Sequence, residues 1–279
     1  MGLFSDMDKM GLSDFKDSEI LKQEKTVKKN NKEVKPAVKR ELTEKDYLLL
    51  RDYECPVCEW KFKALSVKAG KVRQTGHDID MRIHYEGIDP VKYEVISCPC
   101  CGYSAIASQF NKLISIQKDL IKQQISTYYM PDDDWDDDED VYDYKMAVTK
   151  FKLALVCAMV KRGKASELAF LSLKLHWLIE SYMEELDKES EEYKKCVEDD
   201  NECMRNAYDG FKKAFSSENL PIYGLDENTM PYIISALGYE LGEYEGAKSM
   251  IGRVITSRTA NERIKELARD LKDMIDEKI

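Results

Sequence analysis

No stretch of this 279-residue chain approaches the roughly 18 consecutive apolar residues that a bilayer-spanning helix needs. A membrane-embedded protein is therefore not expected. The first ten residues, MGLFSDMDKM, carry neither a basic start nor the apolar run of roughly 7–15 residues that marks a secretory leader, which sets the expectation of a cytoplasmic protein. Histidine is scarce, at three, and no HExxH pair, phosphate loop, dinucleotide fingerprint or nucleophile elbow is present, so no enzyme is expected. Excess positive charge is missing too. A net charge of −10 and a pI near 5.1 argue against a protein whose main partner is a phosphate backbone.

What is present points to a soluble, helix-rich chain of one or two domains: 43% hydrophobic residues suffice for a core, and 34% charged residues suit long solvated helices. Charge is unevenly spread. Residues 22–40 hold eight Lys/Arg against two Glu, whereas residues 131–140 (PDDDWDDDED) hold eight acids and no base. Runs of this kind are solvated segments unless a partner, or each other, neutralises them within the screening length of about 8 Å. Cysteine is also unevenly placed, with five of eight between Cys55 and Cys101 and the others, Cys157, Cys196 and Cys203, on helical patterns. In a reducing compartment that distribution reads as a metal site rather than a disulfide framework.

Three regions follow. Residues 1–41 combine a short apolar pattern (Leu3, Phe4, Met7, Met10, Leu12, Phe15) with the basic linker and read as a flexible tail. Residues 42–104 open with an expected short helix over 43–50, capped by Thr43, and then alternate as strands do. Trp60-Lys61-Phe62-Lys63-Ala64 and Tyr93-Glu94-Val95-Ile96 are separated by turn signals at Ala69-Gly70, Thr75-Gly76, Glu86-Gly87 and Asp89-Pro90. Residues 105–279 switch to a 3.6-residue period. Ile106, Phe110, Leu113, Ile116 and Leu120 predict a first helix, Tyr144, Val148, Phe151, Leu155 and Ala158 a second, and Leu168 to Tyr182 a third. A long charged helix over about 189–216 and three more after Pro221 complete the set. The expected class is α+β, mainly α, with a small β-rich, zinc-ribbon-like module ahead of an all-α, tetratricopeptide-like domain. That last reading rests on Gly242, Tyr244, Ala247 and Ile251, spaced as in the turn and second helix of such a repeat, although no second copy occurs at a 34-residue period.

The chemistry concentrates in the β-rich module. Cys55-Pro56-Val57-Cys58 and Cys98-Pro99-Cys100-Cys101 are two C-P-x-C turns separated by 39 residues. In each turn the proline fixes the backbone and two thiolates converge from residues three apart, so the pair supplies a tetrahedral Cys₄ set of the kind zinc prefers in structural sites. A module of about 60 residues is marginal on its apolar core alone, and structural zinc worth about 10–16 kcal/mol would couple its folding to the metal. Cys55, Cys58, Cys98 and Cys101 are therefore the expected zinc ligands, and Cys100, at the variable position, a spare thiol. Iron in a rubredoxin-like site would use the same residues, although Glu59 stands where glycine is usual, and a dithiol redox centre would use one turn rather than two. Lys61, Lys63, Lys68, Lys71 and Arg73 around Trp60 and Phe62 suit a nucleic acid, yet residues 41–104 carry nine bases against eleven acids. His77 and His84 read as surface or hydrogen-bonding residues, His176 as a partly buried histidine without a catalytic partner, and the three helical cysteines as small hydrophobes.

The segment CPVCEWKFKALSVKAGKVRQTGHDIDMRIHYEGIDPVKYEVISCPCCGYSA, with MPYIISALGYELGEYEGAKSMIGRVI and ERIKELARD downstream, resembles the bacterial family known as domain of unknown function 2225 over roughly residues 50–275. The likeness takes in both cysteine turns, Asp78, Asp80, Pro90, Tyr93, the Gly102-Tyr103 step and the Gly242, Tyr244, Ala247 repeat, and departs at Cys100 and the acidic run. It implies a cytoplasmic bacterial protein with a zinc-ribbon-like first part and a tetratricopeptide-like second part, and no activity. The resulting expectation is a zinc-binding, non-enzymatic adaptor whose helical domain takes a protein or peptide partner. The alternative is a zinc-ribbon nucleic-acid or ribonucleoprotein accessory protein.

Overall fold

Strands occupy the front of the chain and helices the rest, the expected α+β, mainly α class. The computed structural model describes residues 42–68, 70–130 and 141–279; the tail 1–41 and the acidic run 131–140 lie outside the described residues. Entry is through a single 3-10 turn, Glu44–Tyr47, and the helix expected over 43–50 goes no further. Leu48 instead begins β1 (Leu48–Glu54), because this apolar run pairs antiparallel with β2 (Lys61–Val67) over seven residues, from Leu48↔Val67 to Glu54↔Lys61. Two further hairpins follow: β3 (Gln74–His77) with β4 (Ile83–Tyr85), and β5 (Val95–Ser97) with β6 (Ser104–Ile106). The three ladders are separate two-stranded sheets. One cysteine turn joins β1 to β2 and the other joins β5 to β6, so β3 and β4 are the additional strands that the 39-residue spacer accommodates.

The helix predicted from Ile106 onward is shorter than its stripe. Residues 104–106 are spent on the ladder with β5, and Phe110 folds back so that its carbonyl accepts the Tyr103 hydroxyl at 2.9 Å. Helix α1 (Ser115–Ile121) therefore starts nine residues late and runs on into a π turn at Lys122–Ser126, leaving Ile116 of the stripe exposed. Six longer helices follow: α2 (Tyr144–Val160), α3 (Ala165–Glu185), α4 (Glu191–Ser217), α5 (Thr229–Glu240), α6 (Tyr244–Thr256) and α7 (Glu262–Asp276). Local chemistry sets several starts. The Asp143 carboxylate accepts from Met146 N, the Ser190 hydroxyl from Tyr193 N and the Asn261 side chain from Ile264 N, each satisfying an amide that the first turn orphans.

From α2 onward each helix packs on the next. α3 is the central one: Leu171, Leu173, Leu175, Leu178 and Ile179 are all buried, each side chain contributing about 1.5–3 kcal/mol of transfer free energy. Between α5 and α6 the approach is close, because a Cβ on Gly238 would sit 3.2 Å from Ala247 Cβ and 3.1 Å from Tyr208 Cε2. Residues 42–279 form one compact unit. The turn between β3 and β4 is built into that unit, with Ile79 and Met81 packed on the helical core and Asp80 and Arg82 buried beside them. Among the described residues no helix is long and apolar enough to cross a membrane.

Candidate metal centre

The two cysteine turns have the same backbone wiring. In the first, Cys55 N donates to Trp60 O at 2.9 Å and Glu59 N to Cys55 O at 2.9 Å. In the second, Cys98 N donates to Tyr103 O at 2.8 Å and Gly102 N to Cys98 O at 3.0 Å. Each turn thus closes four and five residues after its leading cysteine, and the residue that closes it lies in the left-handed region. That residue is Gly102 at φ 73° in the second turn and Glu59 at φ 64° in the first. Glycine adopts this conformation freely, whereas a residue with a Cβ loses about 1–2 kcal/mol there. The glutamate at 59 is thus tolerated rather than preferred.

This wiring brings Cys55, Cys58, Cys98 and Cys101 together, their four Sγ atoms all within 4.8 Å of one another. Cys55 Sγ lies 3.5 Å from Cys101 Sγ and Cys58 Sγ lies 3.6 Å from Cys98 Sγ. Disulfides are far shorter, about 2.05 Å. A tetrahedron with metal–sulfur bonds of about 2.3 Å has edges of about 3.8 Å, so the set fits a four-coordinate thiolate metal site with little adjustment. Val57 N donates to Cys55 Sγ at 3.4 Å, the kind of amide contact that supports a thiolate ligand. The Cys55 thiol is held down to about 2 by hydrogen bonds from Cys101 first and Cys98 second, while Cys101, as donor, is pushed far up. Protons shared among thiols in this way are the ones a metal ion displaces.

The site rests on its own apolar cluster. Ile96, Tyr103, Ala105, Phe110, Ile121 and Ile125 are buried with the cysteines, and Phe110 meets Tyr53, Phe62 and Tyr103 with ring centroids 5.0–6.2 Å apart. Cys157 of α2 joins this cluster, which its sequence position had not suggested. Its sulfur accepts from Ser104 N at 3.3 Å and lies 3.7 Å from Gly102 O, so it ties the second turn to the helix without belonging to the four-sulfur set. Cys100 is exposed and outside the four-sulfur set, although burial, then the charge of the neighbouring Cys58 and a hydrogen bond with it, push its thiol up, and Cys196 and Cys203 are buried along α4.

The histidines divide. His84 Nε2 pairs with Asp78 Oδ1 at 2.7 Å and His77 Nδ1 contacts Asp78 O at 3.2 Å, both at the surface side of the β3–β4 hairpin. His176 departs from expectation. Only 1% exposed, it has a carboxylate partner, Asp200 of α4, at 2.7 Å from Nδ1. Around its Nε2 stand Asp80 Oδ2 at 3.8 Å, Glu180 Oε2 at 3.9 Å and Glu240 Oε2 at 4.0 Å. Burial alone would lower this imidazole, but the Asp200 hydrogen bond and the charges of Asp200, Glu180 and Asp80 outweigh it and push His176 up to about 9. Burial, then the Asp80 charge, pushes the Glu240 carboxyl up to about 7. Only His176 and Glu180 share a regular spacing, four residues apart on α3; residues 80, 200 and 240 come from other elements, so sequence reasoning had no means of adding them.

Comparison with known proteins returned no curated protein and no solved structure that matches the chain. A family profile does match, over residues 48–275, which takes in both cysteine turns and the helices from α1 into the last turn of α7. Its description is "Uncharacterized protein conserved in bacteria (DUF2225)", and the chain belongs to that family.

Proposed function

We propose that this protein is a cytoplasmic, non-enzymatic zinc protein in which a structural Cys₄ site shapes a helical protein-interaction adaptor. The observation that carries the zinc reading is the closed thiolate set: four convergent sulfurs, three of them from buried cysteines, satisfy a tetrahedral ion and leave no place for substrate. Zinc is favoured over iron because the Glu59 side chain replaces the glycine that iron sites of this type use, and because zinc needs no redox partner. The adaptor reading is supported by apolar side chains left in solvent where α1 meets α2. Gln117 of α1 donates to Lys161 O at the end of α2, and nearby Ile114, Ile116, Val156 and Met159 are 46–64% exposed. The close α5–α6 approach at Gly238 and Ala247 suits tetratricopeptide-like packing.

The test pairs metal analysis with partner capture by the full chain. One zinc per chain is expected, and Ile116→Glu with Met159→Glu should abolish capture of a specific protein while keeping the zinc. If the double variant captures the same proteins as wild type, the adaptor surface is misplaced; if iron is bound instead, the metal is wrong. The nucleic-acid alternative has one favourable observation, Trp60 at 54% exposed beside exposed Lys61 and Lys63. The strand register opposes it, setting Glu54 across from Lys61 and Asp52 across from Lys63. RNA or DNA binding that weakens steeply between low and moderate salt would favour that alternative.

A further inference from the structure

We propose a nucleotide-binding site along one face of α3, in which an aromatic hollow takes the base of a nucleoside di- or triphosphate and an adjoining basic hollow takes its phosphates. The aromatic hollow, of about 510 Å³, lies between β1, the loop after β6 and α3, and its walls include Tyr53, Tyr93, Phe170 and Tyr223. The basic hollow, of about 440 Å³, surrounds the start of α3 and includes Lys112, Lys161, Arg162 and Lys164. The two adjoin, because Tyr223 lines both and Ala107 and Ser108 of the first run on into Gln109 of the second. Glu167 of the basic hollow shares a helix face with Phe170 and Lys174 of the aromatic one. Lys164 and Phe170 are about 9 Å apart along the helix axis, a span that a base joined through its sugar to phosphates covers.

Charge fits an anion here and not over the chain as a whole. In a protein of net charge −10, Arg51, Lys174 and the four cations of the basic hollow face only Glu94, Glu167 and Glu218, which concentrates positive potential at the α3 start. Lys161 is paired with Glu167 at 2.6 Å and Lys174 with Glu94 at 2.9 Å. The side chains of Arg51, Lys112, Arg162 and Lys164 make no ion pair or hydrogen bond to any described residue. Glu218 accepts from Ser166 N at 3.0 Å and from its hydroxyl at 2.7 Å, so a carboxylate already holds the α3 amide, and phosphates would meet side chains rather than a glycine-rich loop. Backbone strain marks the same place. Among the described residues the non-glycine residues at positive φ are Glu59, Met81, Arg162 and Tyr223, and the last two line these hollows. Arg162, at φ 57°, closes α2, with its N–H donating to Met159 O at 3.0 Å and Gly163 N to Ala158 O at 2.8 Å, where glycine is usual. Tyr223, at φ 51°, and Gly224, at φ 82°, turn the chain between Ile222 and Leu225, where Asn-Gly is preferred. Each position keeps a charged or aromatic side chain against its backbone preference, and residues held in this way gather at ligand sites. The Tyr223 ring lies on Phe170 with centroids 4.5 Å and planes 10° apart, a flat platform of the kind on which bases stack.

The experiment is equilibrium dialysis of the zinc-loaded full chain, at low salt, against ATP, GTP, inorganic tripolyphosphate and adenosine. One ATP or GTP per chain is expected, bound about tenfold or more tighter than tripolyphosphate or adenosine alone. Tyr223→Asn and Arg162→Gly decide the matter, because each installs the residue its turn prefers and should hold or raise the urea midpoint. Tyr223→Asn should weaken ATP and GTP by about tenfold and leave tripolyphosphate unchanged, whereas Arg162→Gly should weaken all three by about fivefold or more. A merely structural role for either residue would move the midpoint and not the affinity. Absence of ATP and GTP binding up to millimolar concentration by folded protein would overturn the proposal. So would variants that bind like wild type, or binding of a single-stranded oligonucleotide without binding of either mononucleotide.

Discussion

Replacing Gly102 by alanine isolates what the second cysteine turn demands of its backbone. Gly102 sits at φ 73°, and a Cβ built there would lie 2.5 Å from Tyr129 Cδ2, 2.6 Å from Cγ and 3.0 Å from Cε2. The left-handed conformation alone costs an alanine about 1–2 kcal/mol. Ordinary carbon contacts are about 3.5–4.0 Å, so the ring must also retreat by about 1 Å, and overpacking of this kind costs about 1–3 kcal/mol. The sum is about 2–5 kcal/mol. Gly242 provides the control: its φ is 75°, and nothing lies within 4 Å of its virtual Cβ, so Gly242→Ala should lose only the backbone part. Urea unfolding of the zinc-loaded protein, followed by tryptophan fluorescence with a chromophoric chelator reporting metal release, measures both variants. Gly102→Ala should fall below Gly242→Ala by about 1–3 kcal/mol and release zinc at lower urea. Adding Tyr129→Ala should recover most of that gap. Equal losses in the two alanine variants, within about 0.5 kcal/mol, would refute the ring-contact argument.

The same reasoning runs in reverse at Glu59, where φ is already 64°: Glu59→Gly should stabilise by up to about 1 kcal/mol, relief of strain exceeding the added freedom of the unfolded chain, as read by the urea midpoint. Metal analysis should find one zinc in Cys100→Ser and none in Cys98→Ser or Cys101→Ser, the latter two losing the β-strand signal in circular dichroism. In buffer free of divalent ions, His176 binds its proton more tightly folded than unfolded, so its stabilising effect is complete below pH 6.5 and is lost as pH rises through about 9. The difference in unfolding free energy between wild type and His176→Gln should shrink by about 3 kcal/mol across that window, and a constant difference would contradict it. Phe151→Ala, emptying a fully buried α2 position, should cost about 3–5 kcal/mol in the same assay.

The sequence made some of this architecture legible and hid the rest for identifiable reasons. The helices from α2 to α7 were visible because their apolar faces recur at 3.6 residues, as Ile264, Ala268, Leu271 and Ile275 show. The four sulfurs were visible because a metal turn encodes its ligands three residues apart. β1 was hidden because Leu48-Leu49-Leu50 has no alternation, and the strand character of that run comes from partners, Val67, Ser66 and Leu65, on another segment of the chain. The helix misplaced at Ile106 had a good stripe, but a ladder to β5 took its first residues. His176 was underestimated because, Glu180 of its own helix apart, its partners Asp80, Asp200 and Glu240 come from three other elements, and contacts of that kind leave no periodic trace.

The turn carrying Asp80 and Arg82 also bears on how the chain can be cut. Its bonds to Trp177, Glu180 and Ser181 span 97 to 99 residues, so closing them costs more chain entropy than any cysteine turn and must follow the docking of α3. A fragment ending near residue 104 would keep all four sulfurs yet leave an aspartate and an arginine without the helical groups they were built to meet. Shortened versions of this protein should therefore keep residues 42–279 together.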